Sequence, residues 1–168
     1  MTIEQIKEKL KSEEYDFLRK DKNLGNNIII LTLGGSHAYG TNHNTSDLDI
    51  RGVALNKKSE ILLGENFQQV DNEITDTVIY SFNKIVKLLA NCNPNVLEML
   101  GNKPEHYFYI SPIGRELIDN SHLFLWKRVA LSFGEYANQQ LYRLTHKAAH
   151  KLSQSELEKH ILKTLEFM

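Results

Sequence analysis

The sequence predicts an α/β fold of the α+β kind, in which a small mixed β-sheet with flanking helices precedes a C-terminal helical extension. A continuous apolar and β-branched run over residues 28–33, between a turn and a pair of glycines, is typical of a buried central strand. Two further strand-like segments follow, at residues 47–55 and 74–79. From residue 112 onward the apolar positions recur at helical spacing with short breaks. These observations place a sheet first and helices second.

The remaining elements follow from helical and turn signals in chain order. Apolar residues recur at helical spacing among Glu and Lys over residues 3–20, which predicts one amphipathic helix. Residues 21–27 are rich in asparagine and contain a glycine, so we expect a turn there. The other expected elements are a short helix over 36–39, a short helix or turn over 57–63, a weak strand over 67–70, and helices over 81–91, 95–100, 123–144 and 155–167.

Composition places the chain among ordinary globular proteins. Its 168 residues predict a core with its N-terminal helix over 1–110 and a helical extension over 111–168. No apolar run reaches the length of a membrane span, and the N-terminus carries charges where a signal peptide needs an apolar core. A single cysteine, Cys92, rules out an internal disulfide and predicts a reducing, cytoplasmic location.

Charge neither demands nor forbids a nucleic-acid partner. The formal net charge is −1. It is unevenly distributed, because residues 1–120 hold 13 Lys and Arg against 17 Asp and Glu, whereas residues 121–168 hold seven against four. This mild positive tilt of the C-terminal part permits RNA or a nucleotide phosphate as a partner.

The chemistry-bearing residues fall in two short motifs that lie close together in the chain. The first runs from Leu33 through Gly34, Gly35 and Ser36 to Gly40, and the second is Ser-Asp-Leu-Asp-Ile-Arg-Gly at residues 46–52. Backbone N–H groups of a glycine turn, together with a serine hydroxyl, are suited to gripping phosphate oxygens. For Ser36 the alternative is a helix N-cap.

Paired acids in the second motif predict a cation. Residues i and i+2 of a strand face the same side, so Asp47 and Asp49 present two carboxylates while Leu48 and Ile50 pack behind them. Two carboxylates about 4 Å apart repel by about 4 kcal/mol at an effective dielectric constant of 20. A divalent metal site beside a phosphate-binding turn predicts phosphoryl or nucleotidyl transfer.

These motifs resemble those of the DNA polymerase β-type nucleotidyltransferase superfamily. Gly35-Ser36 is followed by ten residues and then by Asp47-Leu-Asp-Ile. The fuller strings resemble a bacterial and phage subfamily of nucleotidyltransferases, some of them associated with RNA repair, as do Asp76-Thr-Val-Ile-Tyr-Ser-Phe and the segment 93–100. The similarity runs from about residue 28 to residue 100. Because members of that subfamily continue beyond the part matching 123–144, we expect the helical extension here to be either a truncated or a short version.

The resemblance implies roles for individual residues. Asp47 and Asp49 would hold two Mg²⁺ (or Mn²⁺) ions, and a third carboxylate would come from a neighbouring strand. Asp76 is our choice for that third metal-binding and catalytic acid, with Glu73 and Asp71 as the alternatives. The nucleotide-binding set is Gly34, Gly35, Ser36 and Arg51, where Arg51 offers a bidentate fork for phosphate.

Several neighbouring side chains have a plainer interpretation. For His37, Tyr39 and His43 a structural role is favoured over stacking on a base. Glu98 is expected in the helix packing beside the site, with a contact to Arg51 as the alternative. The aromatic run 107–109 is expected in the core or an interface, and His146 with His150 on a basic helix face.

The predicted function is nucleotidyl transfer. An acceptor hydroxyl attacks the α-phosphate of an NTP, such as ATP, and pyrophosphate leaves. RNA is the favoured acceptor on the family association, while a protein hydroxyl or a small molecule stays open. The sequence sets neither the base preference nor the oligomeric state. The alternatives are a catalytically idle binding module or antitoxin-type partner and, ranked last, a metal-dependent phosphohydrolase.

Overall fold

A mixed sheet organises the first part of the chain. The computed structural model describes residues 1–64 and 67–149, and within them five strands pair in the spatial order β3-β4-β2-β1-β5. β1 runs antiparallel to both β2 and β5, β2 runs parallel to β4, and β3 runs antiparallel to β4. The strands are β1 Ile28–Leu33, β2 Ile50–Ala54, β3 Gln69–Asn72, β4 Thr77–Ser81 and β5 Tyr107–Ile110. The predicted fold class is confirmed.

Helices connect and flank these strands. Three of them begin at a side-chain cap: Ser81, Asn93 and Ser111 each accept a hydrogen bond from the backbone N–H of the third residue of the helix that follows. The α-helices of the described residues are α1 Ile3–Lys9, α2 Phe17–Lys20, α3 Gly35–Tyr39, α4 Lys58–Leu63, α5 Phe82–Ala90, α6 Pro94–Leu100, α7 Pro112–Asp119 and α8 Arg128–Ala149. The predicted helices at 36–39, 57–63, 81–91 and 95–100 are therefore confirmed to within a residue or two.

Each face of the sheet carries its own apolar layer. On one face the N-terminal segment packs Ile6, Leu10 and Tyr15 into a single buried cluster with side chains of β1, β2 and β4. On the other face α7 approaches β1 so closely that a Cβ on Gly114 would lie 2.2 Å from the Ile29 carbonyl oxygen. β1 is buried along its whole length because both of its faces and both of its edges are covered.

The expected single helix over residues 3–20 is wrong. The chain turns after α1, forms a 3₁₀ turn at Glu13–Tyr15, and only then resumes helix at α2. Arg19 stabilises this turn by donating hydrogen bonds to the carbonyl oxygens of Leu10, Lys11 and Ser12. The break rotates Tyr15 into the core, where it is fully buried. Helical periodicity could not reveal this turn, because the helical segments before and after it both bury apolar residues.

Both predicted flanking strands begin later than expected. The segment expected at 47–55 becomes strand only from Ile50, and the one expected at 74–79 only from Thr77. Residues 73–76 form the turn between β3 and β4, so Ile74 is 88% exposed. The weak strand expected at 67–70 lies two residues further on, at Gln69–Asn72. β5 was not predicted, because its run of four residues with three aromatics has no clear alternation.

The contacts of the chain divide it into two compact units, Met1–Trp126 and a second from Lys127 onward. α7 belongs to the first unit because it packs against β1 and β5, so this division falls later than the expected boundary after residue 110. In the second unit α8 covers most of the helix expected at 123–144, while the helix expected at 155–167 lies outside the described residues. Among the described residues no helix is long and apolar enough to cross a membrane.

Candidate active site

Three backbone segments meet at one end of adjacent strands. Gly34, directly after β1, donates its N–H to the Asp49 carbonyl oxygen at 2.9 Å. Ile50, at the start of β2, donates its N–H to the Asp76 carbonyl oxygen at 3.1 Å. Because β2 pairs with β1 on one side and with β4 on the other, the glycine turn, Asp49 and Asp76 become lateral neighbours. Residues far apart in the sequence are thereby placed within one site.

Arg51 joins the two acids. Its Nη2 donates to Asp49 Oδ1 at 2.8 Å and to Asp76 Oδ1 at 3.1 Å. Its Nη1 donates to the Asp76 carbonyl oxygen at 2.6 Å and to the Ile50 carbonyl oxygen at 3.0 Å. The guanidinium therefore lies between two carboxylates, a position that a cation favours on electrostatic grounds. Arg51 is predicted as a ligand of nucleotide phosphates, and its contact with both acids was not predicted.

The signal for the clamp was present in the sequence. Asp49 and Arg51 are spaced i, i+2, so in extended backbone they face the same side. The alternation that paired Asp47 with Asp49 thus pairs Asp49 with Arg51 equally well. What the sequence did not contain is the lateral approach of Asp76.

The glycine turn is shaped to fit the Asp49 carboxylate. Gly35 has φ +55°, and a Cβ placed on it would lie 2.0 Å from Asp49 Oδ2. Any side chain at this position would therefore displace the carboxylate. Gly34, not Ser36, is the N-cap of α3, so the capping alternative for Ser36 is wrong. Ser36 instead lies in the first turn of that helix, half-buried beside the site.

Asp47 is placed at the margin of the site. It is exposed, whereas Leu48 and Ile50 are buried in the core, which confirms that these apolar residues pack behind the acids. Its segment is extended but precedes β2, so no ladder partner fixes its side chain. Among residues 1–64 and 67–149 no three His, Cys, Asp or Glu side chains lie together as a metal-binding group. Of the three predicted acids, two, Asp49 and Asp76, are brought together.

The Asp49 carboxyl has unusual electrostatics. Burial raises the pKa of Asp49 above its ordinary value, and hydrogen bonding to the nearby Asp76 carboxyl adds to the rise, while the charge of Arg51 opposes it. The Asp76 carboxyl is thus held close enough to disfavour ionisation of Asp49. A site of this kind gains from a bound cation.

Asp76 has a backbone conformation that marks the turn before β4. Its φ is +42°, a left-handed conformation that aspartate tolerates better than most residues. The alternatives for the third acid lie elsewhere: Asp71 accepts a hydrogen bond from Gln69 along β3, and Glu73 is exposed in the turn. Asp76 is the acid of this group that forms an ion pair with Arg51.

Two tyrosines, Tyr39 and Tyr15, are held in different ways. The Tyr39 hydroxyl donates to Glu98 Oε2, which ties α3 to α6 and gives Glu98 a partner other than Arg51. Tyr15 is fully buried, and within the described chain its hydroxyl has no hydrogen-bond partner. Burial raises the pKa of Tyr15 to about 12, with smaller contributions from the charges of Glu14 and Asp76. Nothing in the sequence indicated Tyr15, because a continuous helix would have placed it differently.

The fold and the site together define a class of protein. A glycine turn at the end of a central strand, facing carboxylates at the same end of the next two strands of the sheet, is the arrangement expected of a DNA polymerase β-like nucleotidyltransferase. The chain belongs to the RlaP family, the RNA repair pathway DNA polymerase beta family, whose model matches residues 4–163. Membership assigns it coarsely to polymerase β-like nucleotidyltransferases with a role in RNA repair. None of the curated proteins compared with the chain matches it significantly.

Proposed function

We propose that the protein is a Mg²⁺- or Mn²⁺-dependent nucleotidyltransferase that moves a nucleoside monophosphate from an NTP to an acceptor hydroxyl. The bond from the acceptor oxygen to the α-phosphorus forms, the bond to the β-phosphate oxygen breaks, and pyrophosphate leaves. The observation that carries the proposal is that Asp49 and Asp76 are paired around the Arg51 guanidinium. They lie opposite a glycine turn that leaves no room for a side chain.

The residues present fit a divalent ion. Carboxylate oxygens are the donors that Mg²⁺ and Mn²⁺ prefer, and the Arg51 guanidinium between Asp49 and Asp76 is a stand-in for positive charge at that point. Asp49 and Asp76 would hold the ion, joined by Asp47, whose exposed side chain lies two residues from Asp49. When bound, such an ion neutralises triphosphate charge and activates the acceptor hydroxyl.

The remaining residues of the site would bind and orient the substrates. The turn at Gly34 and Gly35, with the Ser36 hydroxyl, would receive the triphosphate oxygens of ATP or another NTP. Asp76, about half exposed at the open side of the site, would orient the acceptor hydroxyl. An RNA end is the acceptor that the family description supports. The free, buried Cys92 is compatible with the reducing cytoplasm that we propose as the location of the protein.

The test is transfer of α-labelled nucleotide to an RNA with a free 3′ hydroxyl, with and without Mg²⁺ or Mn²⁺. We expect Asp49→Asn and Asp76→Asn each to reduce transfer by at least about 100-fold, since loss of metal-centred stabilisation is worth several kcal/mol at 1.36 kcal/mol per tenfold. Asp71→Asn is the matched control, because Asp71 is an exposed acid on neighbouring β3. Transfer that survives both site substitutions, or that needs no divalent ion, would refute the proposal.

A catalytically idle binding module is the second candidate. The observation that favours it is that Arg51 already neutralises the acids of the site, so the fold does not require a metal ion. An idle module would bind NTP with the same affinity in EDTA as in Mg²⁺. A metal-dependent gain in NTP affinity would exclude it.

A further inference from the structure

We propose that Arg51 is an internal cation that occupies the ion site and must leave when a divalent metal binds. Metal binding would then be an exchange, in which the guanidinium is released from Asp49 and Asp76 as the ion arrives. This inference rests on the proposed function and adds to it the step that opens the site.

The first support is that the guanidinium is committed to this site. Nη2 bridges the two carboxylates, and Nη1 donates to two main-chain carbonyl oxygens, those of Ile50 and Asp76. The Arg51 side chain is 26% exposed and that of Asp49 is 18% exposed, so solvent only partly screens the pairing. An arginine held in this way is not available to bind a phosphate.

The second support is that the arginine and a metal ion exclude each other. Asp49 Oδ1 and Asp76 Oδ1 lie 2.8 Å and 3.1 Å from the same nitrogen, Nη2. Mg²⁺ binds carboxylate oxygens at about 2.0–2.1 Å, so an ion held by these two oxygens would compete with Nη2 for both of them. Two cations at one point would also repel, because each needs the same pair of carboxylates.

The third support is that the structure leaves space for the Arg51 guanidinium to move away from the two carboxylates. Its stem crosses the glycine turn: a Cβ on Gly34 would lie 2.9 Å from Arg51 Cγ. The Asp76 side chain is 49% exposed, so the site is open on the side where the guanidinium ends. Rotation about the side-chain bonds of Arg51 would release the guanidinium and place it beside the glycine turn, which is proposed to hold the triphosphate. The same residue would then serve first as a substitute for the metal and afterwards as a phosphate ligand.

The experiment measures Mn²⁺ binding to the full chain by titration calorimetry, without nucleotide. Arg51→Met keeps the length of the stem but removes the charge. We expect its Mn²⁺ affinity to rise about tenfold over the unsubstituted protein, since a charge-assisted hydrogen bond to a carboxylate is worth about 1.5–3 kcal/mol and 1.4 kcal/mol is tenfold. Arg115→Met is the matched control, because Arg115 is exposed on α7, and its affinity should not change.

A second titration uses Mn²⁺ together with a non-hydrolysable NTP. Here Arg51→Met should bind more weakly than the unsubstituted protein, because the phosphate ligand is gone. Effects of opposite sign in the two titrations would support the exchange. Mn²⁺ affinity in Arg51→Met that is equal to or lower than that of the unsubstituted protein would overturn it.

Two further variants separate the possible failures. Asp49→Asn should lose Mn²⁺ binding; if it binds Mn²⁺ like the unsubstituted protein, the proposed metal site itself is wrong. If Asp49→Asn loses binding but Arg51→Met gains none, only the exchange is wrong. Should Arg51→Met fail to fold, Arg51→Lys keeps the charge but presents a single nitrogen, and its Mn²⁺ affinity should lie above that of the unsubstituted protein. An unchanged affinity in Arg51→Lys would likewise contradict the exchange.

Discussion

At the scale of single residues, Gly35 is the position where the backbone and the chemistry of the site are most tightly coupled. Its φ of +55° favours glycine, and the space where a Cβ would stand is filled by the Asp49 carboxylate. The same residue therefore shapes the turn and sets the position of an acid on the neighbouring strand. Among the glycines of positive φ that the structure describes, Gly35 has the closest contact at its Cβ position.

Gly35→Ala should consequently weaken Mn²⁺ binding, an effect that backbone strain alone would not produce. Gly40→Ala is the matched control: Gly40 also has a left-handed φ, +71°, but nothing lies within 4 Å of its Cβ position. We expect Gly40→Ala to cost about 1 kcal/mol of unfolding free energy and to leave Mn²⁺ affinity unchanged, because only the conformational cost applies. Gly35→Ala should cost at least about 2 kcal/mol and weaken Mn²⁺ binding at least about tenfold. Urea unfolding and Mn²⁺ titration measure both, and equal effects of the two substitutions would disprove the coupling.

At the scale of elements, the packing of α7 on β1 shows how a helix is brought against the central strand. Gly114 lies so close to the β1 backbone that a Cβ would stand 2.2 Å from the Ile29 carbonyl oxygen and 2.8 Å from Ile30 Cγ1. Ser111 caps this helix and donates its own N–H to the same Ile29 carbonyl oxygen at 2.8 Å. The glycine thus allows a close contact that a larger residue would prevent.

Gly114→Ala should therefore destabilise the protein by about 2–3 kcal/mol, as overpacking against a backbone carbonyl cannot be relieved by side-chain rotation. Gly134→Ala makes the same chemical change in the exposed interior of α8, where nothing lies within 4 Å of the Cβ position. There alanine is the better helix former, and we expect a gain of about 1 kcal/mol in the stability of that helix. Denaturation monitored by circular dichroism measures both. If the two substitutions changed the free energy of unfolding in the same direction, this account of the packing of α7 would be contradicted.

At the scale of the whole molecule, the division after Trp126 separates the sheet and its site from α8. All the residues of the candidate site, from Gly34 to Asp76, lie in the unit Met1–Trp126. That unit also contains the five strands of the sheet and the buried apolar cluster packed against them. Its length of 126 residues is that of an ordinary independent domain.

A fragment that ends at Trp126 should fold and keep the metal site. We expect a cooperative thermal transition and a Mn²⁺ affinity within about twofold of that of the full chain, since the metal-binding residues and their supports are all retained. Circular dichroism and calorimetry test this on the two proteins side by side. An unfolded fragment would show that residues after 126 are needed for folding, and a folded fragment without measurable Mn²⁺ binding would show that they contribute to the site.

Local patterns in the sequence were sufficient for much of the fold. The apolar run 28–33 became β1 with the predicted bounds, and the helices predicted over 81–91 and 95–100 each begin within one residue of their expected start. Strand starts were placed too early at 47 and 74, because alternation continues through extended or turn residues that have no ladder partner. The N-terminal reversal at residues 10–16 was missed, because Arg19 closes it through main-chain carbonyl oxygens that leave no trace in hydrophobic spacing.

By itself the sequence determined the components of the site: two glycines after a buried strand, acids at alternate positions, and the family to which these motifs belong. Such features depend on neighbours within a few residues, and periodicity and backbone geometry report them directly. Only the tertiary structure decided that Asp76 lies beside Asp49, and that Arg51 lies between them. Those relations depend on which strands become lateral partners, and that choice follows from packing between segments distant in the chain.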